Sequence, residues 1–449
     1  MERKVALSIA GSDPSGGAGI QADLKSFAFL GLHGITAITC VTSQNTQQVK
    51  NIYKLPIEII ENQIDCIFED FHIDAVKIGM LYDKEIIESV AKKISEYNLS
   101  PVVDPIMVAT SGDPLSHISF VKSFKKQLLP KTFLLTANIP EACELVGNMI
   151  ESLDDVKKAC KNLFELGPKY VLVKGGHLST KDAVDVVYDG NKFHEFSLPR
   201  IKDKKAHGSG CTLSAIITGL LALDESPVKA VKKAKSIIWS MIYNGYAPGN
   251  GSDVLNHTCE TFLPNFFPNN DYFYVWLELN DAVKKLVSIL PIDIIPEVGM
   301  NFAYALPNAK KIDDICAIEG RILKIKNKAQ VCGNLDFGGS KHVASIILTT
   351  MSFDKNVRCT VNIHYSKNTV ELCKKLGFSI GSFDRKNEPD STKSTMEWGT
   401  KQVIAKNGFV PDIIFDTGGI GKEPMIRVLG KNPEDVLAKI QKIVKNLFL

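Results

Sequence analysis

Short apolar runs alternate with longer amphipathic ones through residues 4–247. Val5–Ala10, Ile35–Thr39, Ala75–Ile78, Val102–Asp104, Phe133–Leu135 and Tyr170–Lys174 are almost continuously apolar, the pattern of strands buried on both faces of a parallel sheet. Ile57–Phe68, Lys84–Tyr97 and Leu153–Leu166 repeat their apolar positions at helical spacing instead. This alternation predicts a doubly wound α/β sheet. Ala183–Tyr188 and Phe193–Leu198, divided by Asp189-Gly190-Asn191, predict a β-hairpin. Cys211–Leu223 and Pro227–Tyr246 predict two closing helices.

The pattern breaks over 248–271, where Pro248, Gly249, Gly251, Pro264, Pro268, Asn269 and Asn270 crowd together. We expect one domain over 1–262, a linker over 263–271 and a second, smaller α/β domain over 272–449. In the latter, Tyr272–Leu290, His342–Met351, Lys367–Leu376, Met396–Asn407 and Pro433–Phe448 read as helices. Met300–Leu306, Cys359–His364, Phe378–Phe383 and Asp412–Phe415 read as strands. Asp416–Val428 reads as a flexible glycine loop ending in cations.

Composition narrows the class. The 449 residues allow two or three domains, and 45% apolar with 23% charged residues is ordinary for a globular protein. A net charge of +3 gives no sign of a nucleic-acid or membrane surface. The ten cysteines are scattered, with no C-x-x-C pair, which suits reduced thiols in a cytoplasmic protein. Neither a signal peptide nor an apolar run of spanning length is visible.

The most informative segment is His207-Gly208-Ser209-Gly210-Cys211-Thr212-Leu213, which enters an apolar helical run. Glycines there leave backbone N–H groups bare at a helix N-terminus, and the helix dipole adds to their pull on an anion. Cys211 in the first turn would feel the same field, which favours thiolate. A glycine turn capping a core helix with a buried cysteine explains the segment equally well. The loop Ala10–Asp23 carries Gly11, Gly16, Gly17 and Gly19 after the first strand. It is neither a Walker A loop nor a G-x-G-x-x-G fingerprint.

These two loops, with Gln44-Asn45-Thr46, Lys77-Ile78-Gly79-Met80-Leu81, Asp104-Pro105-Ile106-Met107, Ser111-Gly112-Asp113-Pro114-Leu115 and Lys174-Gly175-Gly176-His177, resemble the hydroxymethylpyrimidine kinase/phosphomethylpyrimidine kinase family, of ribokinase-like fold. The resemblance spans about residues 1–260. It implies that Asp23, Gln44 and Met80 line a pyrimidine pocket. It makes Cys211 the base and the backbone of Gly208, Ser209 and Gly210 an anion hole. Lys174 would meet the ATP phosphates. Glu141, in Asn138-Ile139-Pro140-Glu141, would organise Mg²⁺ through water, with Asp104 assisting. Cys stands where related sugar kinases usually carry Asp, and Ser209 stands where this family commonly has Thr.

In the second half, three glycine-and-cation stretches stand at element ends, a pattern suited to phosphorylated ligands. Glu319-Gly320-Arg321, Gly339-Ser340-Lys341-His342-Val343-Ala344, Asn362-Ile363-His364-Tyr365-Ser366, Ser382-Phe383-Asp384-Arg385, Glu397-Trp398-Gly399-Thr400 and Gly421-Lys422-Glu423-Pro424-Met425-Ile426-Arg427 resemble the archaeal-type thiamine-phosphate synthase domain, over about 275–449. The resemblance implies catalytic roles for Arg321 and His342. Gly338, Gly339, Ser340, Arg385, Lys422 and Arg427 are candidates for phosphate contacts.

Together the two resemblances imply a bifunctional thiamine-biosynthesis enzyme using ATP and Mg²⁺. Hydroxymethylpyrimidine would be phosphorylated twice, and its diphosphate coupled to thiazole phosphate. One alternative makes the C-terminal domain a non-catalytic sensor of such ligands. Another extends the kinase to pyridoxal-type alcohols. The expected partners are small molecules, with neither nucleic acid nor membrane, and a homodimer is expected by analogy with the fold.

Overall fold

A computed structural model of the chain describes residues 3–107, 119–178, 180, 182–201, 204, 206–259, 270–389, 394–419 and 421–447. The motif Ser111–Leu115 and residues 263–269 of the expected linker lie outside the described residues. Two compact units, Met1–Asn265 and Phe266–Leu449, make up the chain.

The first unit is built on nine strands: β1 (Val5–Ser12), β2 (His33–Gln44), β3 (Val49–Lys54), β4 (Ala75–Ile78), β5 (Val102–Val103), β6 (Leu134–Asn138), β7 (Tyr170–Lys174), β8 (Asp182–Tyr188) and β9 (Phe193–Pro199). They lie in the order β3-β2-β1-β4-β5-β6-β7-β8-β9. The strands from β2 to β7 in that order run parallel, and β3 and the β8–β9 hairpin form antiparallel edges.

Successive residues of each apolar run serve opposite faces. Val103, Leu135, Val171 and Val173 pack under helices Ile57–Asp70, Lys84–Glu96 and Leu153–Phe164. Val102, Leu134 and Leu172 pack with Leu213, Ile216 and Ile217 of helix Ser209–Ala222 and with Val231 and Ile238 of helix Pro227–Tyr243. The sheet is thus covered on both sides, and its strands have no room for polar alternation. Each fully buried Leu or Ile contributes about 1.5–3 kcal/mol. A short parallel pair, β10 (Ala206–His207) with β11 (Asp253–Val254), joins the end of the unit to its last glycine loop.

The parallel order reverses around β1, whose neighbours are β2 and β4. Ligands of open α/β sheets bind outside the carboxyl ends of strands at such a point. Ser12, Met80, Asp104, Asn138 and Lys174 all stand at or just beyond those ends.

The second unit contains β12 (Phe302–Ala305), β13 (Ile315–Ile318), β14 (Arg321–Ile325), β15 (Lys328–Cys332), β16 (Leu335–Phe337), β17 (Cys359–His364), β18 (Ile380–Phe383), β19 (Ile413–Asp416) and β20 (Met425–Gly430). Seven form a sheet in the order β16-β13-β12-β17-β20-β19-β18, and β14–β15 is a separate hairpin. The cationic end of the expected loop Asp416–Val428 is in fact β20, buried along its whole length. Arg427 interrupts its apolar run and hides it from a periodicity argument. The fold tolerates that charge because Asp416 on the neighbouring β19 pairs with it. Among the described residues, no helix is long and apolar enough to cross a membrane.

Candidate active site

The carboxyl ends of the first sheet enclose a cavity of about 400 Å³. Gln44, Met80, Asp104, Glu141, Lys174, Gly208, Ser209, Gly210 and Cys211 all line it, so most of the candidates of the first unit come together. A second cavity of about 210 Å³ shares Asn138, Lys174, His177, Ser209 and Gly210 with the first and continues to Lys235 and Trp239. Lys174 and the start of helix Ser209–Ala222 form the wall between the two.

Gly208 makes that wall possible. It caps the helix at φ +83°, a left-handed conformation, and a Cβ there would lie 1.8 Å from the carbonyl oxygen of Gly17. Two glycine loops far apart in sequence therefore meet backbone to backbone. No side chain caps this helix, unlike helix Ile139–Val146, where Asn138 and Glu141 form a capping box.

Lys174 Nζ donates to Asp104 Oδ1 at 3.0 Å and stands 3.9 Å from Glu141 Oε2. Burial alone would lower the ammonium's pKa, but Asp104 and Glu141 reverse the sign and hold it charged. Burial, opposed by Lys174 and reinforced by Asp104, raises Glu141 to about 7. Where Glu141 is ionised, two carboxylates face one ammonium and leave surplus negative charge beside the shared wall. Among the described residues, no group of three or more His, Cys, Asp or Glu forms a metal cage. The donors fit a hydrated Mg²⁺ held mainly by phosphates, which needs only one or two carboxylates.

Cys211 departs from expectation. Burial pushes its thiol up to about 12, against the opposing pull of Lys77 and of the Gly19 N–H on its sulfur. The first-turn field does not outweigh that desolvation, so the resting group is a thiol.

Asp23 also departs. It does not line the cavity but is fully buried, accepting from Lys77 Nζ at 2.9 and 2.8 Å and from Ser8 Oγ at 2.6 Å. An unpaired carboxylate at that depth would be costly, and Lys77, from β4, supplies the counter-charge. Lys77→Met is expected to destabilise the protein by about 3–5 kcal/mol, because it strands Asp23. Urea unfolding of the full chain checks this. The double variant Asp23→Asn/Lys77→Met is expected to recover most of the loss, since it leaves no lone charge.

Sequence reasoning missed Asp13, His177 and His207 as lining residues. Their motifs were visible, but nothing in a string says which way a loop side chain points. Lys235 and Trp239, which line the smaller cavity, carried no signal beyond helical periodicity.

In the second unit, Arg321 opens β14 and His342 lies in the first turn of helix Lys341–Phe353, both exposed. Gly338, Gly339 and Ser340 form the turn into that helix, whose N-cap, Ser340, makes no side-chain cap bond. The turn before Arg321 is held from below by Asn301, a residue sequence reasoning missed. Its Nδ2 donates to the carbonyls of Ile318 and Gly320 at 2.7 and 3.1 Å, and its Oδ1 accepts from Ile318 N–H at 3.2 Å.

Arg427 is corrected from a phosphate contact to a buried partner of Asp416. Its Nη2 donates to Asp416 Oδ2 at 2.7 Å, its guanidinium lies over the Phe383 ring, and it is 3% exposed. Arg385 Nε donates to Asp416 Oδ1 at 2.7 Å from nearer the surface. Burial alone would raise the Asp416 pKa, but the two guanidiniums lower it. Lys422 is exposed on the tight turn that it forms with Gly419.

Comparison with known proteins follows the same division. The family model for phosphomethylpyrimidine kinase matches residues 13–256, and that for thiamine-phosphate synthase ThiN matches residues 278–442. The bifunctional thiamine biosynthesis protein ThiDN of Methanocaldococcus jannaschii is 36% identical over 448 residues, covering 98% of each chain. The hydroxymethylpyrimidine/phosphomethylpyrimidine kinase of Bacillus subtilis is 42% identical over 254 residues, 56% of this chain and 94% of its own. Among solved structures, the ADP complex of Bacillus subtilis pyridoxal kinase superposes with a TM-score of 0.54 at 34% identity, covering 57% of this chain and 98% of the kinase. Staphylococcus aureus pyridoxal kinase with AMP-PCP and pyridoxal gives 0.53 at 34% identity, covering 57% and 94%.

Proposed function

Because this chain belongs to the family of bifunctional thiamine-biosynthesis enzymes that join a phosphomethylpyrimidine kinase to a ThiN-type thiamine-phosphate synthase, we propose the following division of labour among its residues. The kinase half, of ribokinase-like fold, uses ATP to phosphorylate 4-amino-5-hydroxymethyl-2-methylpyrimidine and then its monophosphate. The synthase half couples the diphosphate to thiazole phosphate and releases pyrophosphate.

One observation carries the kinase assignment: two cavities share Lys174, Ser209 and Gly210, and only the larger one contains Cys211. The larger takes the pyrimidine, between Gln44 and Met80, and the smaller takes the nucleotide. Phosphoryl transfer then crosses the shared wall. The N–H groups of the helix start receive the transferring group, and Lys174 offsets its charge. Cys211, in its thiolate fraction, takes the proton of the hydroxymethyl oxygen and becomes the thiol. Glu141, with Asp104, would hold hydrated Mg²⁺, which supplies charge neutralisation on the ATP phosphates.

In the synthase half, the aminopyrimidine ring stabilises positive charge on its methylene as pyrophosphate leaves. Arg321 stabilises the departing oxygens, and His342 donates a hydrogen bond or holds a phosphate. The Gly338–Ser340 backbone, Arg385 and Lys422 are the further phosphate contacts. Arg427 acts through Asp416, which holds Arg385. The reading places the enzyme in the cytoplasm as a homodimer.

The test uses the full-length protein with ATP, Mg²⁺, hydroxymethylpyrimidine and thiazole phosphate, followed by mass spectrometry, with Arg321→Ala alongside. We expect thiamine phosphate from the wild type, and accumulation of the pyrimidine diphosphate in the variant with product falling about 100-fold. Thiamine phosphate at wild-type levels from Arg321→Ala would remove that residue from the mechanism. The likeness to pyridoxal kinases supports a second reading, in which pyridoxal-type alcohols are also accepted. Turnover of pyridoxal in the same assay decides it.

A further inference from the structure

His207 and Asp13 line the acceptor cavity beside Gln44 and have no role in the steps above. His207 Nε2 lies 3.0 Å from Asp13 Oδ2 and 3.0 Å from the Gln44 amide nitrogen. The other end of that amide, Oε1, lies 3.4 Å from Thr42 Oγ1. An amide has a donor end and an acceptor end of nearly equal size, so hydrogen-bond accounting decides which end faces which neighbour.

Burial alone would raise the Asp13 pKa, but bonds from His207, from Ser15 and from the Ala18 N–H hold it down to about 2. Asp13 is therefore a carboxylate at neutral pH and only accepts. A ring nitrogen 3.0 Å from it carries the proton. With that proton on it, Nε2 has no lone pair to accept from an amide NH₂, so the amide end that fits beside it is oxygen, which shares the N–H with Asp13 in a three-centre bond. On the other side, the Thr42 hydroxyl donates to the Ser12 carbonyl at 2.9 Å. That single proton is spent, so Thr42 Oγ1 meets Gln44 as an acceptor, and the complementary amide end is NH₂. Both neighbours ask for the same orientation.

We propose that Asp13 and His207 are positioning residues that lock the Gln44 amide with its oxygen toward His207 and its nitrogen toward Thr42, and so fix which way round the pyrimidine binds. This rests on the assignment of the cavity to the aminopyrimidine. Such a ring offers an amino N–H beside a bare ring nitrogen. Paired to the locked amide, the amino group lies on the His207 side and the ring nitrogen on the Thr42 side. The hydroxymethyl group is on the carbon next to the amino-bearing carbon. It is therefore carried toward His207 and the chain that follows it, Gly208 to Cys211. With the amide reversed, the ring would turn over and present its alcohol away from the base.

The lock also discriminates. The 4-oxo analogue has a carbonyl in place of the amino group and a proton on the adjacent ring nitrogen, the reverse pattern. Binding it in the productive pose sets two donors and two acceptors against each other. A site built on such bonds rejects the mismatched ligand by far more than one built on shape.

The experiment measures kcat/KM of the full-length enzyme for the amino and the oxo alcohols. Asp13→Asn and His207→Gln are compared with wild type, and the tautomer of His207 in wild type is read from ¹⁵N NMR. Asn at 13 can donate as well as accept, and Gln at 207 can turn, so each releases the lock while keeping a polar side chain. We expect the amino-to-oxo preference to fall on the order of tenfold or more in both variants. We also expect the ring proton of wild-type His207 to be found on Nε2. An unchanged preference in folded variants overturns the proposal, as does a bare Nε2, which is read without either variant. Wild type that turns over neither alcohol would instead overturn the assignment of the cavity, leaving the NMR result to judge the lock.

Discussion

Lys174→Met is expected to lower both phosphorylation steps about 1,000-fold or more, while thiamine phosphate still forms when the pyrimidine diphosphate is supplied directly. Two effects add. The ammonium stands among the described residues that both cavities share, where charge on the transferring phosphoryl group must be offset, and a charge supplied at that point is commonly worth a factor of about 10³ or more. Its removal also leaves Asp104 and Glu141 facing each other without a counter-charge. Their mutual repulsion then favours a protonated carboxyl, which is a poor partner for hydrated Mg²⁺. Lys174→Arg keeps the charge but not the point-like fit, and is expected to recover part of the rate. The two half-reactions are assayed separately by mass spectrometry. An equal loss in the synthase half would point to collapse of the chain rather than to chemistry.

Cys211→Ala divides the two phosphorylations from each other. The first acceptor is an alcohol, whose proton must leave as the new bond forms. The second is a phosphate that already carries an ionised oxygen. A positioned base is worth about 10²–10⁴ in rate, so the first step is expected to fall by that factor and the second far less. The pH profile carries the same information. With the thiol raised to about 12, the thiolate fraction grows up to tenfold per pH unit below that value. The first step should therefore accelerate from pH 7 to pH 10, and the slope should vanish in Cys211→Ala. The second step should be flatter throughout. A pH-independent first step in the wild type would mean that Cys211 is not the base.

Much of this was legible in the string because it depends on local chemistry. Continuous apolar runs marked the parallel strands, and glycine loops at their ends marked where a ligand approaches. Charge partners were not legible. Asp23 looked like a pocket carboxylate because its motif surrounds the pocket, and only the fold shows Lys77 beneath it, 54 residues away. Arg427 looked like the end of a basic loop because the compensating Asp416 sits on an adjacent strand. The same holds for Cys211. Its place in the first helical turn argued for a thiolate, whereas desolvation, a property of everything packed around it, argues the other way and is the larger influence. Asn301 gave no signal, since its work is done on backbone atoms.

The meeting of Gly17 with Gly208 bears on how the enzyme comes into being on the ribosome. A Cβ on Gly17 would also lie 3.2 Å from Val254 Cγ1, and β10 pairs directly with β11 at that residue. The acceptor cavity is therefore closed by chain separated by more than two hundred positions. The sheet core can gather as it is synthesised, but this corner must wait for the last stretch of the unit to emerge. Contacts of such sequence separation form late and slowly. A nascent kinase half halted before residue 254 would hold a packed sheet and an open, inactive corner. The synthase half is translated only after that corner has the means to close, so the supplier of the diphosphate is ready before its consumer.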